Sequence, residues 1–235
     1  MGIDFAQAEF LDLCAALGGI QNPVLGLGSL TIREPAEQIG QFARLYGYDS
    51  LEKEGSVRAF FRDRYNIRDY RDCDLNGRAS LSLDLNRPVP ADLVGHFGTI
   101  LNGGTLEHVF DVRQAMENLH RLTRTGGTLI HMAPLTWYEH GFFNFNPLLF
   151  HSMIEANGYE LLAEGYYALK DVFPDGPPRP QVFITRRAGE PTSMAKPMHE
   201  LLAGSELPAN MMYVVALRKE KDAPFVSPYQ VHDGD

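Results

Sequence analysis

One stretch, Phe97 to Pro147, limits what this chain can fold into more than any other. It begins with a short apolar run, Phe97 to Leu101, which Asn102-Gly103-Gly104 breaks where a parallel strand would end. From Val112 the apolar residues fall at Val112, Ala115, Met116, Leu119 and Leu122, a helical spacing with one buried stripe. Gly126-Gly127 is expected to stop that helix, because glycine tolerates the left-handed exit. Thr128 to Met132 then reads as a second buried strand. A β-α-β unit of this kind builds a parallel sheet, and ligands of such sheets sit at the carboxyl ends of the strands. The loops after Leu101 and Met132 are therefore where function is expected.

Composition narrows the classes of partner. The formal net charge of -9 disfavours nucleic acid and anionic membrane as the main partner. A local basic patch remains at Arg58, Arg62, Arg64, Arg68 and Arg71. No run approaches the roughly 18 apolar residues that span a bilayer. No basic segment followed by an apolar core opens the sequence, so a cytoplasmic location is expected. Cys14 and Cys73 are the only cysteines and read as reduced thiols. No His, Cys or Glu spacing has the form of a metal site, no phosphate-binding Walker loop is present, and no Ser–His–Asp order stands out.

Around the central unit, Phe5 to Leu17 predicts a leading helix closed by Gly18-Gly19, within residues 1–20. Pro23 to Gly28 is the first strand, and helices follow over Pro35 to Tyr46 and within Leu51 to Tyr65. The second strand falls near Ile67 to Arg71 and the third at Ala79 to Leu83. Pro147 to Asn157 is a helix closed by Gly158, and Tyr159 to Lys170 a sixth strand, with one ring of Tyr166-Tyr167 in the core and one facing the site. After a proline-rich connection, Gln181 to Thr185 suits a hairpin strand and Met211 to Leu217 a firm one, with a loose charged tail from Arg218. Residues 171–210 are expected to form a lid, an insertion or a dimer contact, which leaves a homodimer open. The whole reads as one α/β domain over 1–235, with a mostly parallel sheet and a late antiparallel strand.

Leu106-Glu107-His108-Val109, the helix ending in Arg121-Leu122, and Thr125-Gly126-Gly127 resemble the second half of a class I S-adenosylmethionine-dependent methyltransferase. SLDLNRPVP (Ser82 to Pro90), NGGTLEHVFD (Asn102 to Asp111) and HGFFNFNPLLF (His140 to Phe150) are similar to a narrower methyltransferase-like group with GGTLEHVF and NHGFYQFSP motifs. The resemblance covers roughly residues 23 to 165. It implies a Rossmann-like seven-stranded sheet and S-adenosylmethionine as cofactor; the acidic charge and the aromatic loop after Met132 add the expectation of a small-molecule acceptor in a biosynthetic pathway.

Carried over residue by residue, the resemblance sets the glycine-rich cofactor loop at Gly26, Gly28 and Ser29. Leu30 and Ile32 stand where later glycines are usual, so backbone approach to the cofactor is rearranged. Asp72, with Asp74 as its understudy, is implied for the ribose hydroxyls, since a carboxylate accepts two hydrogen bonds. Asp84 and Leu85 match the adenine position, Asn102, Gly103 and Gly104 the amino-acid part, and His108 a residue covering the adenine. Glu107 reads equally as a favourable charge at a helix N-terminus. In the loop Trp137 to Phe145, His140 is the candidate base, Asn144 orients the acceptor, and Tyr138, Phe142 and Phe143 enclose the sulfonium. His131, in an apolar run, reads as a satisfied core histidine. Two other readings stay open: an enzyme that reacts the cofactor's aminobutyryl arm and releases methylthioadenosine, and a non-catalytic interaction module.

Overall fold

The computed structural model describes residues 2–32, 56–168, 181–189 and 209–229. The helix α1 (Phe5–Ala16) starts in a reciprocal cap, in which Asp4 accepts from the Gln7 N–H at 3.0 Å and Gln7 Oε1 accepts from the Asp4 N–H at 3.1 Å. It follows a two-residue strand β1 (Gly2–Ile3), which pairs in parallel with β3 (Thr31–Ile32). That pairing brings the start of α1 beside the loop that leaves β2 (Val24–Leu27).

The main sheet contains β2, β4 (Tyr70–Cys73), β5 (Phe97–Asn102), β6 (Thr123–Pro134), β7 (Tyr159–Ala168), β8 (Gln181–Arg187) and β9 (Met212–Lys219). Its order is β4-β2-β5-β6-β9-β7-β8. Strands β4, β2, β5 and β6 pair in parallel; β9 is antiparallel to both β6 and β7, and β8 is antiparallel to β7. This is the expected Rossmann-like α/β architecture, with the late antiparallel strand inserted in the sheet. One apolar layer joins α1 and α2 (Ser56–Tyr65) to the sheet through Phe10, Phe60, Phe61 and Val214. The opposite layer holds α3 (Val112–Leu122) and α4 (Pro147–Asn157) through Leu119, Leu122, Phe150 and Met153.

Register decides where the site lies. Leu27 faces Cys73 on one side and Asn102 on the other, so β4, β2 and β5 all end at one level. The residues that follow them emerge together at the carboxyl edge.

Several boundaries differ from the expected ones. The second strand lies at Tyr70–Cys73 rather than from Ile67, and the third shrinks to a single bridge, Cys73 to Leu81. The helix α3 ends at Leu122, before the paired glycines. The Thr123 hydroxyl donates to the Leu119 carbonyl at 2.7 Å, and the backbone turns extended at Thr123. Gly126 and Gly127 lie inside β6, where Arg124 to Gly127 bulge out between the pairs Phe97–Thr123 and Thr99–Thr128. The tail is not loose as far as Tyr229: Val226 N–H donates to Asn157 Oδ1 at 2.9 Å, and the Ala223 carbonyl lies 2.7 Å from His120 Nε2. The arginine patch is largely spent on ion pairs, Arg62 with Asp63, Arg64 with Asp12 and Arg71 with Asp69. The helix expected over residues 35–46, most of the segment 171–210 and the last six residues fall outside the described residues.

Candidate functional site

At the shared carboxyl edge the chain encloses a cleft of about 460 Å³. The loop leaving β2 contributes Gly28, Ser29 and Leu30, and the loop leaving β4 contributes Asp74. Gly28 takes φ 74°, the left-handed region that favours glycine. A Cβ there would meet the Thr105 hydroxyl at 2.9 Å. Thr105 itself donates to the Leu27 carbonyl at 2.9 Å, which ties the turn after β5 to the end of β2.

Asn102 shapes that turn from below. Its buried Oδ1 accepts the N–H groups of Gly104, Thr105 and Leu106 at 3.3, 2.9 and 3.3 Å. Gly104 lines the cleft; Asn102 and Gly103 do not. Gly26 is likewise set apart, because a Cβ there would lie 2.3 Å from the Tyr70 hydroxyl. It permits packing between β2 and β4.

The two acidic positions change places. Asp72 accepts the N–H and hydroxyl of Ser80 at 2.9 and 2.5 Å. Burial raises its pKa, but the Ser80 bonds, its own N–H and the Arg58 charge together outweigh that, and the net shift is downward. Asp72 does not line the cleft, whereas Asp74 does, braced by the N–H groups of Ser29 and Asn76 at 3.2 and 3.1 Å. Asp84 also lines it; bonds from the Asn86 side chain and N–H hold its carboxyl below the usual range. Leu85 adds an apolar wall. That segment is anchored by Asn118 on α3, which donates to the Leu85 and Arg87 carbonyls at 3.0 and 2.8 Å and accepts the Val89 N–H at 3.2 Å. Asn118 lies in a helix stripe that sequence periodicity marks only as partly apolar, and its role escaped the sequence reading.

The turn Leu106–His108 is a short 3-10 helix separate from α3, which has its own cap at Asp111. Glu107 is therefore not a charge at the N-terminus of that helix. Its side chain is 0 % exposed, and neither carboxylate oxygen has a hydrogen-bond partner among the described residues. Burial pushes its carboxyl up to about 7. His140 Nε2 lies 3.4 Å from Glu107 Oε1, and His108 Nε2 lies 3.9 Å from it. Both histidines line the cleft. The Trp137 ring stacks on His140 with centroids 4.4 Å apart and planes at 24°. Gly141 allows this closeness: a Cβ there would come within 2.8 Å of the Glu107 side chain and carbonyl. The Phe142 N–H then donates to the Glu107 carbonyl at 2.7 Å.

The rest of the aromatic loop does something other than expected. Tyr138 is 75 % exposed and absent from the cleft. Asn144 accepts the Trp137 N–H at 2.9 Å, which closes the loop rather than facing a ligand. Phe142 is exposed against Phe110, and Phe143 packs near Phe145. The rings that do line the cleft are Trp137 and Tyr167; Tyr166 packs against Tyr213. Tyr167 is the site-facing ring of its pair, and its hydroxyl donates to Asp4 at 2.5 Å. His131 is buried beside Phe150 in the core, and burial pushes its pKa down to about 4; contrary to expectation it is not satisfied, since neither ring nitrogen has a hydrogen-bond partner among the described residues.

No family model and no curated protein matches the chain. Solved structures do. A SAM-dependent methyltransferase from Archaeoglobus fulgidus aligns over 91% of this chain and 94% of its own, at 10% identity and a TM-score of 0.49. The 1,6-didemethyltoxoflavin N1-methyltransferase of Burkholderia thailandensis, with bound 1,6-didemethyltoxoflavin and S-adenosylhomocysteine, aligns over 90% of this chain and 76% of its own, at 11% identity and a TM-score of 0.45.

Proposed function

We propose that this chain binds S-adenosylmethionine in the cleft and transfers its methyl group to a small-molecule acceptor, in a biosynthetic role. The observation that carries the reading is the convergence in one cleft of Asp74, Asp84 with Leu85, the backbone at Gly28 and Gly104, and His108 and His140, with Glu107 buried behind the two histidines. Two carboxylates suit the hydroxyls and exocyclic amine of a nucleoside, because each accepts two hydrogen bonds. Exposed backbone at the two glycines suits the amino-acid part. A cleft of about 460 Å³ lies within the usual range for small-molecule sites. The chain's net charge of -9 supports a compact acceptor over a nucleic acid.

Methyl transfer from a sulfonium is an in-line displacement, so holding donor and acceptor in line supplies most of the acceleration. His140, which lines the cleft, and Glu107, 3.4 Å behind it, are the groups that would take up the proton of an acceptor that still holds one. Product analysis by mass spectrometry tests the reading. S-adenosylhomocysteine with a methylated acceptor is expected. Methylthioadenosine without a methylated acceptor would move the chemistry to the aminobutyryl arm and overturn methyl transfer.

A further inference from the structure

We propose that Glu107, His108 and His140 hold a divalent transition-metal cation in the wall of the cleft. Each residue offers one ligand atom, and the three atoms lie within 4.8 Å of one another. The carboxylate oxygen stands 3.4 Å from one imidazole nitrogen and 3.9 Å from the other. A tetrahedral ion with bonds of about 2.0–2.1 Å separates its ligand atoms by about 3.3–3.4 Å, so small movements of side chains close the set.

The independent observation is Glu107 itself. A fully buried carboxylate with two unbonded oxygens is costly unless a cation or donors compensate it. No Lys or Arg pairs with it among the described residues; the side chains brought to it are the two histidines. The fold also holds this arrangement in place. The Phe142 N–H bonds the Glu107 carbonyl, Gly141 lets the loop press on the turn, and Trp137 stacks on the His140 ring. Support of this kind around ligating side chains fixes their orientation. Two imidazoles and one carboxylate favour zinc, iron, cobalt or manganese over calcium or magnesium, which prefer all-oxygen shells.

Glu107 lies behind the cleft wall while His108 and His140 line it, so the remaining coordination positions face the cleft. If the proposed methyl transfer is right, an acceptor oxygen or nitrogen on the metal would be oriented and made easier to deprotonate. Only this last step rests on that reading; the binding of metal does not.

The test uses the untagged full chain, stripped with a chelator and titrated calorimetrically with Zn²⁺, Co²⁺ and Mn²⁺. One ion per chain is expected, with a ligand-field spectrum for Co²⁺ that indicates histidine ligation. Glu107→Gln and His140→Ala should each weaken binding at least about tenfold. His108→Ala removes a half-exposed ligand with little risk to folding and should weaken it as well. His151→Ala, outside the cluster, should leave the affinity unchanged. Absence of stoichiometric binding, or affinity unaltered in His108→Ala, would overturn the metal site. S-adenosylmethionine titrated into the same stripped protein separates the two ideas. Cofactor binding without metal binding defeats only the metal site, and metal binding without cofactor binding defeats only the methyltransferase reading.

Discussion

A two-residue shift in a strand end decides which aspartate reaches the cleft. The sequence suggests a strand over Ile67 to Arg71, which makes Asp72 the first residue past it. The strand in fact runs to Cys73, so Asp72 pairs within the ladder and Asp74 emerges at the carboxyl edge. Strand ends set by polar residues are poorly marked in sequence, whereas Asp84-Leu85 was legible because the segment Asp84-Leu85-Asn86, followed by Pro88 and Pro90, matches the motif of the resembled group. Asp74→Ala or Asp84→Ala should therefore weaken S-adenosylmethionine binding about tenfold, since each removes a charged acceptor from the cleft. Asp72→Ala should change it less than about twofold, measured by calorimetry. His131 gives a separate prediction. Its folded pKa of about 4 lies below the unfolded value near 6.5, so the unfolded chain binds more protons between those values. Its contribution to stability is thus present above pH ~6.5 and is lost as pH falls toward ~4, by up to about 3 kcal/mol. Urea midpoints for the wild type and His131→Leu, compared from pH 7 to 4.5, should show the wild type losing stability relative to the variant as pH falls. Parallel curves would contradict the assignment.

At the scale of elements, the β-α-β unit from Phe97 to Met132 was legible because the hydrophobic period and the break at Asn102-Gly103-Gly104 agree; the helix stop was misplaced at Gly126-Gly127, which lie inside the next strand. What could not be read was how its loops meet. Glu107 and His140 are far apart in sequence, and their approach depends on the aromatic loop folding back on the 3-10 turn. The stack of Trp137 on His140 and the Phe142 bond to Glu107 are tertiary facts. Gly141→Ala should push the loop off the turn, because its Cβ would collide with Glu107 backbone and side chain. The expected result is a clear loss of catalytic rate with a circular dichroism spectrum like that of the wild type. Asn118 works on the other wall by holding three backbone groups of the segment from Leu85 to Val89. Asn118→Ala leaves those groups unpaired and should cost about 2–3 kcal/mol of stability by urea denaturation, with weaker cofactor binding. A variant as stable as the wild type would show that water replaces those bonds at little cost.

For the whole molecule, a mostly parallel sheet brings three strand ends to one level, and the cleft follows from that register. The late antiparallel strand β9 fills the space between β6 and β7, and its Met212 lines the same cleft. No helix among the described residues is long and apolar enough to cross a membrane. The central claim is that this cleft takes S-adenosylmethionine, and calorimetric titration of the wild type and Asp84→Ala with S-adenosylhomocysteine tests it most directly. One binding site per chain in the wild type, weakened about tenfold or more in the variant, is the predicted result. No detectable binding to the folded wild type, or equal binding by both proteins, would contradict it.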